Sequence, residues 1–169
     1  GNERQISHRE LYEQSTALGS YLLEIGLAQG DRVGLLVEKS IEAIISFLGV
    51  ACAGGVVFPL DYFQTVSHLQ YVVDLTQPFT LITQEKLHPL LAHLNLAFPP
   101  EKIISVDGIQ TGGSVSAWDQ IMGKGHSDST GRNLHADDVV YLNFTSGTTG
   151  MPKGAVTTHA NIYWNTRSA

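Results

Sequence analysis

Apolar positions recur at helical spacing from residue 8 onward, with Leu11, Leu18, Leu22 and Ile25 on one face, until Gly26 and Gly30 end the run. Ser7-His-Arg-Glu10 opens it as a capping box, in which each residue's side chain accepts from the other's backbone N–H. The period then changes. Residues 32–37 are almost continuously apolar, as expected of a strand covered on both faces. Ser40 caps a second predicted helix running to about residue 53, and 56–58 read as a short strand ending at Pro59. The pattern repeats with a helix over 67–75 and a strand over 79–83, then a helix over 84–94 and a strand over 102–106. Alternating helices and apolar strands predict an α/β fold: a layered, mostly parallel sheet with flanking helices.

Residues 108–132 break this alternation. They are rich in Gly and Ser, have Trp118 and Ile121 as their evident anchors, and read as an irregular linker, with 123–131 exposed. After them an apolar run, 139–144, feeds a cluster of hydroxyls and glycines, and a second β-prone run covers 155–158. The pattern predicts strand, small-residue loop, strand.

Composition narrows the class. At 169 residues the chain suits one domain able to bury about 70% of its unfolded surface. Its 43% apolar and 15% charged content is that of a globular chain. A net charge of −6 with ten basic residues argues against binding a phosphate backbone, so no nucleic-acid partner is expected. The apolar run 43–60 is interrupted by Ser46, Gly54, Gly55 and Pro59, so no membrane span is expected. Gly1 rather than Met opens the chain, and no signal-peptide pattern follows it. The one cysteine, Cys52, excludes an internal disulfide, in keeping with a cytoplasmic setting, and reads as a small buried hydrophobe.

The chemistry concentrates in Thr145-Ser-Gly-Thr-Thr-Gly-Met-Pro-Lys-Gly154. Gly147, Gly150 and Gly154 let a ligand approach the main chain. Hydroxyls of Thr145, Ser146, Thr148 and Thr149, the loop N–H groups and the charge on Lys153 together form an anion site, and phosphate is its usual guest. A Walker-type loop is excluded: Pro152 and Gly154 flank Lys153, and the segment that follows is β-branched rather than helix-forming. Asp137-Asp138 reads as a solvated strand start rather than a pair of metal ligands. The seven histidines show no paired metal spacing.

This run, with Thr158-His-Ala-Asn161 behind it, closely resembles the signature of adenylate-forming enzymes, which include acyl-CoA synthetases, peptide-synthetase adenylation domains and luciferases. Gly30-Asp-Arg-Val-Gly34 and the segment 47–61 resemble early scaffold segments of that family, with Tyr62 standing where many relatives place Pro. The resemblance implies ATP phosphates on Thr145, Ser146, Gly147, Thr148, Thr149, Gly150 and Lys153, with Mg²⁺ near Thr149. It further implies a carboxylic acid substrate, an acyl-AMP intermediate, and CoA or a carrier-protein phosphopantetheine as thiol acceptor. It gives His159 a positioning role. Adenine-, acyl- and ribose-binding groups and the catalytic lysine of the family have no counterpart here. The chain is therefore expected to be a partial N-terminal (AMP-binding) domain, without the C-terminal domain, carrying no catalytic residue and inactive without the remainder of the parent chain. Two further readings stand beside the acyl-CoA ligase: a peptide-synthetase adenylation domain, and a non-catalytic phosphate-binding or interaction module.

Overall fold

The computed structural model describes residues 4–99, 102–107, 116–123, 132–146 and 152–168. Helix α1 (His8–Glu24) starts at the expected capping box: the Glu10 N–H donates to Ser7 Oγ at 3.1 Å and the Ser7 N–H to Glu10 Oε2 at 2.8 Å. Gly26 and Gly30 follow with φ of 96° and 83°, left-handed conformations that stop the helix and turn the chain into strand β1 (Arg32–Leu36). Ser40 caps α2 (Ile41–Cys52), which leads to β2 (Val56–Pro59). Thr65 caps α3 (Val66–Thr76), and β3 (Thr80–Thr83) follows.

Among the described residues these strands belong to a seven-stranded sheet in the order β5-β4-β3-β1-β2-β6-β7. All neighbours run parallel except β6 (Val139–Ser146) and β7 (Pro152–Thr158), which form an antiparallel hairpin at one edge. One face is covered by α1 and α2, whose Leu18, Leu22, Ile45 and Val50 are buried against Val33, Leu35 and Val57. The other is covered by α3, through Leu69, Val72 and Val73 packed with Leu36, Phe58 and Leu81. Two glycines permit close approaches between elements. A Cβ at Gly34 would lie 2.2 Å from Leu81 Cδ2, and one at Gly49 would lie 2.9 Å from the Ser15 carbonyl oxygen of α1.

Four expectations are corrected. The helix expected over 84–94 is a 3₁₀ turn, Glu85–Leu87, followed by the single turn α4 (His88–Leu91). Pro89 has no N–H and its ring would strike the carbonyl four residues back, so a continuous helix cannot pass through it. The strand β4 contracts to Ile104–Ser105. The span 108–132 is not irregular throughout. It holds β5 (Ser116–Ala117), paired parallel to β4, and α5 (Trp118–Gly123), which packs on α1. Trp118 and Ile121, the anchors visible in the sequence, are buried there, while 108–115 and 124–131 lie outside the described residues. Cys52 also departs from expectation: it is exposed at the end of α2, with the thiol pushed up from its ordinary range by partial desolvation. No helix among the described residues is long and apolar enough to cross a membrane.

Candidate phosphate-binding hairpin

The β6–β7 hairpin carries the signature residues. Its ladder runs further toward the turn than the apolar runs suggest: Phe144 pairs with Gly154, Thr145 with Lys153 and Ser146 with Pro152. Thr145, Ser146 and Lys153 are thus strand residues. Cross-strand pairing holds the β-branched threonine extended, and Pro152 is tolerated because it opens an edge strand. Gly147, Thr148, Thr149 and Gly150 lie outside the described residues.

Directly opposed side chains of an antiparallel pair share a face, so the hydroxyl of Thr145 and the ammonium of Lys153 emerge together, both exposed. The neighbouring pair does the reverse and anchors the hairpin. The Phe144 ring packs edge-on against Phe58 of β2, with centroids 6.3 Å apart, and a Cβ on Gly154 would sit 3.2 Å from the Phe144 ring. Gly154 therefore has a packing reason besides any contact with a ligand. On the α2 side, Tyr141 meets Phe47 at 5.7 Å, and burial pushes its phenol above the ordinary range.

The base of the hairpin is tied by Asp138. Its Oδ2 accepts from Gln29 Nε2 at 2.9 Å and from the His135 N–H at 2.8 Å, while its carbonyl accepts from the His159 N–H at 3.1 Å. Through its carboxylate and its carbonyl, Asp138 is a structural tie between the turn before β1, the start of β6 and helix α6 (His159–Ser168). Thr158 and Asn161 cap α6 reciprocally: the Thr158 N–H donates to Asn161 Oδ1 at 3.0 Å and the Asn161 N–H to Thr158 Oγ1 at 3.3 Å. His159 holds the hairpin–helix junction through its backbone.

Beside Thr145 a cavity of about 470 Å³ opens at the carboxyl ends of β2 and β6, where open α/β sheets place their ligands. Leu60, Leu69, Val72 and Phe144 form its floor, and Asp61, Gln64, His68, Asn143 and Thr145 supply polar groups. Asp61 accepts from Gln64 Nε2 at 3.0 Å and from the Phe63 N–H at 3.1 Å, and these bonds, with His68 nearby, hold its carboxyl below the usual carboxylate range. The Gln64 N–H donates to the Asp61 carbonyl at 2.9 Å, so the turn closes with Tyr62 in place of proline. Sequence reasoning treated Asp61 as scaffold and passed over Gln64, His68 and Asn143. The usable signal was the position of Asp61 just past the carboxyl end of a buried strand. Among the described residues no three His, Cys, Asp or Glu side chains group as metal ligands.

The whole chain, residues 1–169, matches the model of the AMP-binding enzyme family. Gramicidin S synthase 1 of Brevibacillus brevis is 32% identical over 162 residues, covering 94% of this chain and 13% of that protein. Tyrocidine synthase 3 of Brevibacillus parabrevis is 31% identical over 160 residues, covering 95% of this chain and 2% of that protein. Among solved structures, ATP-bound MatB from Rhodopseudomonas palustris superposes with a TM-score of 0.77 at 26% identity, over 98% of this chain and 32% of that one. The anthranilate CoA ligase AuaEII with anthranoyl-AMP shares the fold, with a TM-score of 0.79 at 24% identity, over 94% of this chain and 30% of that one. The chain thus spans a small part of the curated relatives and 30–32% of these two solved ones. A family match along residues 1–169, the signature hairpin included, means that this chain belongs to the AMP-binding enzymes.

Proposed function

We propose that the chain supplies the phosphate-binding hairpin of an ATP-dependent ligase that activates a carboxylic acid. In that reaction a carboxylate oxygen attacks the α-phosphorus, the bond to the β-phosphate breaks, and pyrophosphate leaves with the electron pair. The resulting acyl-adenylate then passes its acyl group to a thiol. The observation that carries this reading is the Thr145–Lys153 pair, which directs a hydroxyl and a cation to one face of the hairpin. A triphosphate brings about four negative charges, and charge-assisted hydrogen bonds contribute about 1.5–3 kcal/mol each toward its desolvation. Lys153 would offset charge on the pyrophosphate, while Thr145, Ser146, Thr148 and Thr149 with the N–H groups of Gly147 and Gly150 would hold its oxygens.

Mg²⁺ belongs to this reading. The polar groups beside the hairpin that are able to ligate it (Thr145, Asn143 and Asp61) offer oxygen, the donor a hard cation takes. Thr149 would hold the ion together with phosphate oxygens, and the ion when bound neutralises charge on them. The thiol acceptor is CoA or a carrier-protein phosphopantetheine. Kinship in sequence to synthases of gramicidin S and tyrocidine, at 31–32% identity, supports the carrier-protein arm. The likeness to a CoA ligase rests on fold. A cytoplasmic setting, with ATP at hand, is part of the same proposal. The groups that bind the acyl chain and complete catalysis are assigned to the remainder of the parent chain.

The test is ATP–pyrophosphate exchange across fatty, aryl and amino acids, on the full-length parent and on this chain in parallel. Exchange by the parent with one substrate class, and none by the chain alone, is the expected result. A parent that binds ATP yet exchanges with no member of the panel would leave a phosphate-binding module instead.

A further inference from the structure

The phosphate-binding hairpin extends past the sheet that carries it. Strand β2 meets β6 at the pair Val57–Tyr141 and ends at Pro59, two residues further on. Equal rise along parallel neighbours puts that end level with Asn143. Phe144, Thr145 and Ser146 therefore lie beyond the last residue of β2, with β7 as their one strand neighbour among the described residues. A two-stranded ribbon by itself is marginal in water and twists more than a wide sheet. The ladder fixes Lys153 relative to Thr145, but it does not fix that pair relative to the rest of the domain.

Side chains supply the missing constraint. On the α3 face of the sheet, Gly34, Phe58, Phe144 and Gly154 form a row across the neighbouring strands β1, β2, β6 and β7. Gly34 and Phe58 are register partners, and a Cβ on Gly34 would lie 2.9 Å from Phe58 Cζ. The Phe58 ring, fully buried, meets the Phe144 ring edge-on with centroids 6.3 Å apart. Phe144 in turn covers its own register partner, Gly154, where a Cβ would lie 3.2 Å from Phe144 Cε1. A glycine at each end leaves the space the two rings take, and a ring laid over a cross-strand glycine supplies the packing that residue lacks. Phe144 is the last apolar side chain of β6, and the row ends one residue from the Thr145–Lys153 pair. We infer that Phe144, seated between Phe58 and Gly154, is a positioning residue for Lys153: it fastens the free end of the hairpin to the core and so sets where the root of the lysine side chain stands.

This inference rests on Lys153 meeting the pyrophosphate, and the test is a double-substitution cycle on ATP–pyrophosphate exchange by the full-length parent. Phe144→Leu keeps an apolar side chain but removes the ring. It should lower the exchange rate about tenfold, since a misplacement of about 1 Å costs up to about a hundredfold. In a Lys153→Ala background the same substitution should cost less than about twofold, because the group it positions is gone. A merely structural loss would appear equally in both backgrounds. That result, or exchange unaltered by Phe144→Leu alone, overturns the inference and leaves the phosphate reading of the hairpin standing. If Lys153→Ala itself leaves exchange unaltered, that reading and the role of Phe144 fall together. Should Phe144→Leu fail to fold, Gly154→Ala takes its place in the cycle, since its methyl presses on the ring from 3.2 Å. A loss confined to the background that retains Lys153 supports the inference, and equal losses in both refute it.

Discussion

Lys153 is the residue on which the functional reading turns. It is a strand residue with its partner Thr145 fixed by register, so the root of its side chain is placed by the ladder. If it offsets charge on the leaving pyrophosphate, Lys153→Ala in the full-length parent should slow adenylate formation about 10- to 100-fold. Thioester formation from pre-formed adenylate should hardly change, and equal losses in the two half-reactions, measured separately, would remove the assignment. Carboxyl groups give a second residue-scale expectation. Glu10, bonded to the Ser7 hydroxyl and N–H, and Asp61, bonded to Gln64 and the Phe63 N–H, are both held below the usual carboxylate range. A group whose folded pKa is depressed stabilises above its unfolded pKa and loses that contribution as pH falls through the folded one. Urea denaturation across pH should therefore find Asp61→Asn less stable than the parent sequence near neutrality, with the difference shrinking on the acid side. A difference that grows with acidification would contradict the bonding described.

At the scale of elements, two helix starts were legible because capping is local: Ser7 and Ser40 each accept from the N–H three residues on, whereas α3 is capped by Thr65, ahead of the start expected at Ser67. Strand ends and broken helices were less so. The helix expected over 84–94 overlooked Pro89, and β5 was missed because a two-residue strand, Ser116–Ala117, is too short to show an apolar pattern. Helix packing itself is open to test at Gly49. Ala is the better helix former by about 1 kcal/mol, yet its Cβ would meet the Ser15 carbonyl and the Leu18 side chain at 2.9 Å. A backbone carbonyl cannot move aside cheaply, so overpacking should win, and Gly49→Ala should lower stability by about 1–3 kcal/mol in a denaturation series. A gain in stability would mean that α1 and α2 are less closely joined than described.

For the whole molecule, β7 is the outermost strand on its side of the sheet among the described residues, and its Val156, with Tyr163 and Trp164 of α6, is 55–59% exposed. An unpaired edge with apolar neighbours invites pairing with another chain. The chain by itself should self-associate with rising concentration in sedimentation velocity, and Val156→Lys should weaken that association. A monomer at every concentration would count against it. The sequence alone determined the layered α/β class, the caps and the chemistry of the 145–154 run, because these depend on residue type and short spacing. Pairing across the sheet decided the rest. It set Thr145 opposite Lys153, turned Asp138 into a tie between three segments, and gathered Asp61, Gln64 and His68 with Asn143 around one cavity. Residues 61 and 143 have no relation along the chain; they meet because β2 and β6 are neighbours, and strand order is a long-range property that no local pattern contains.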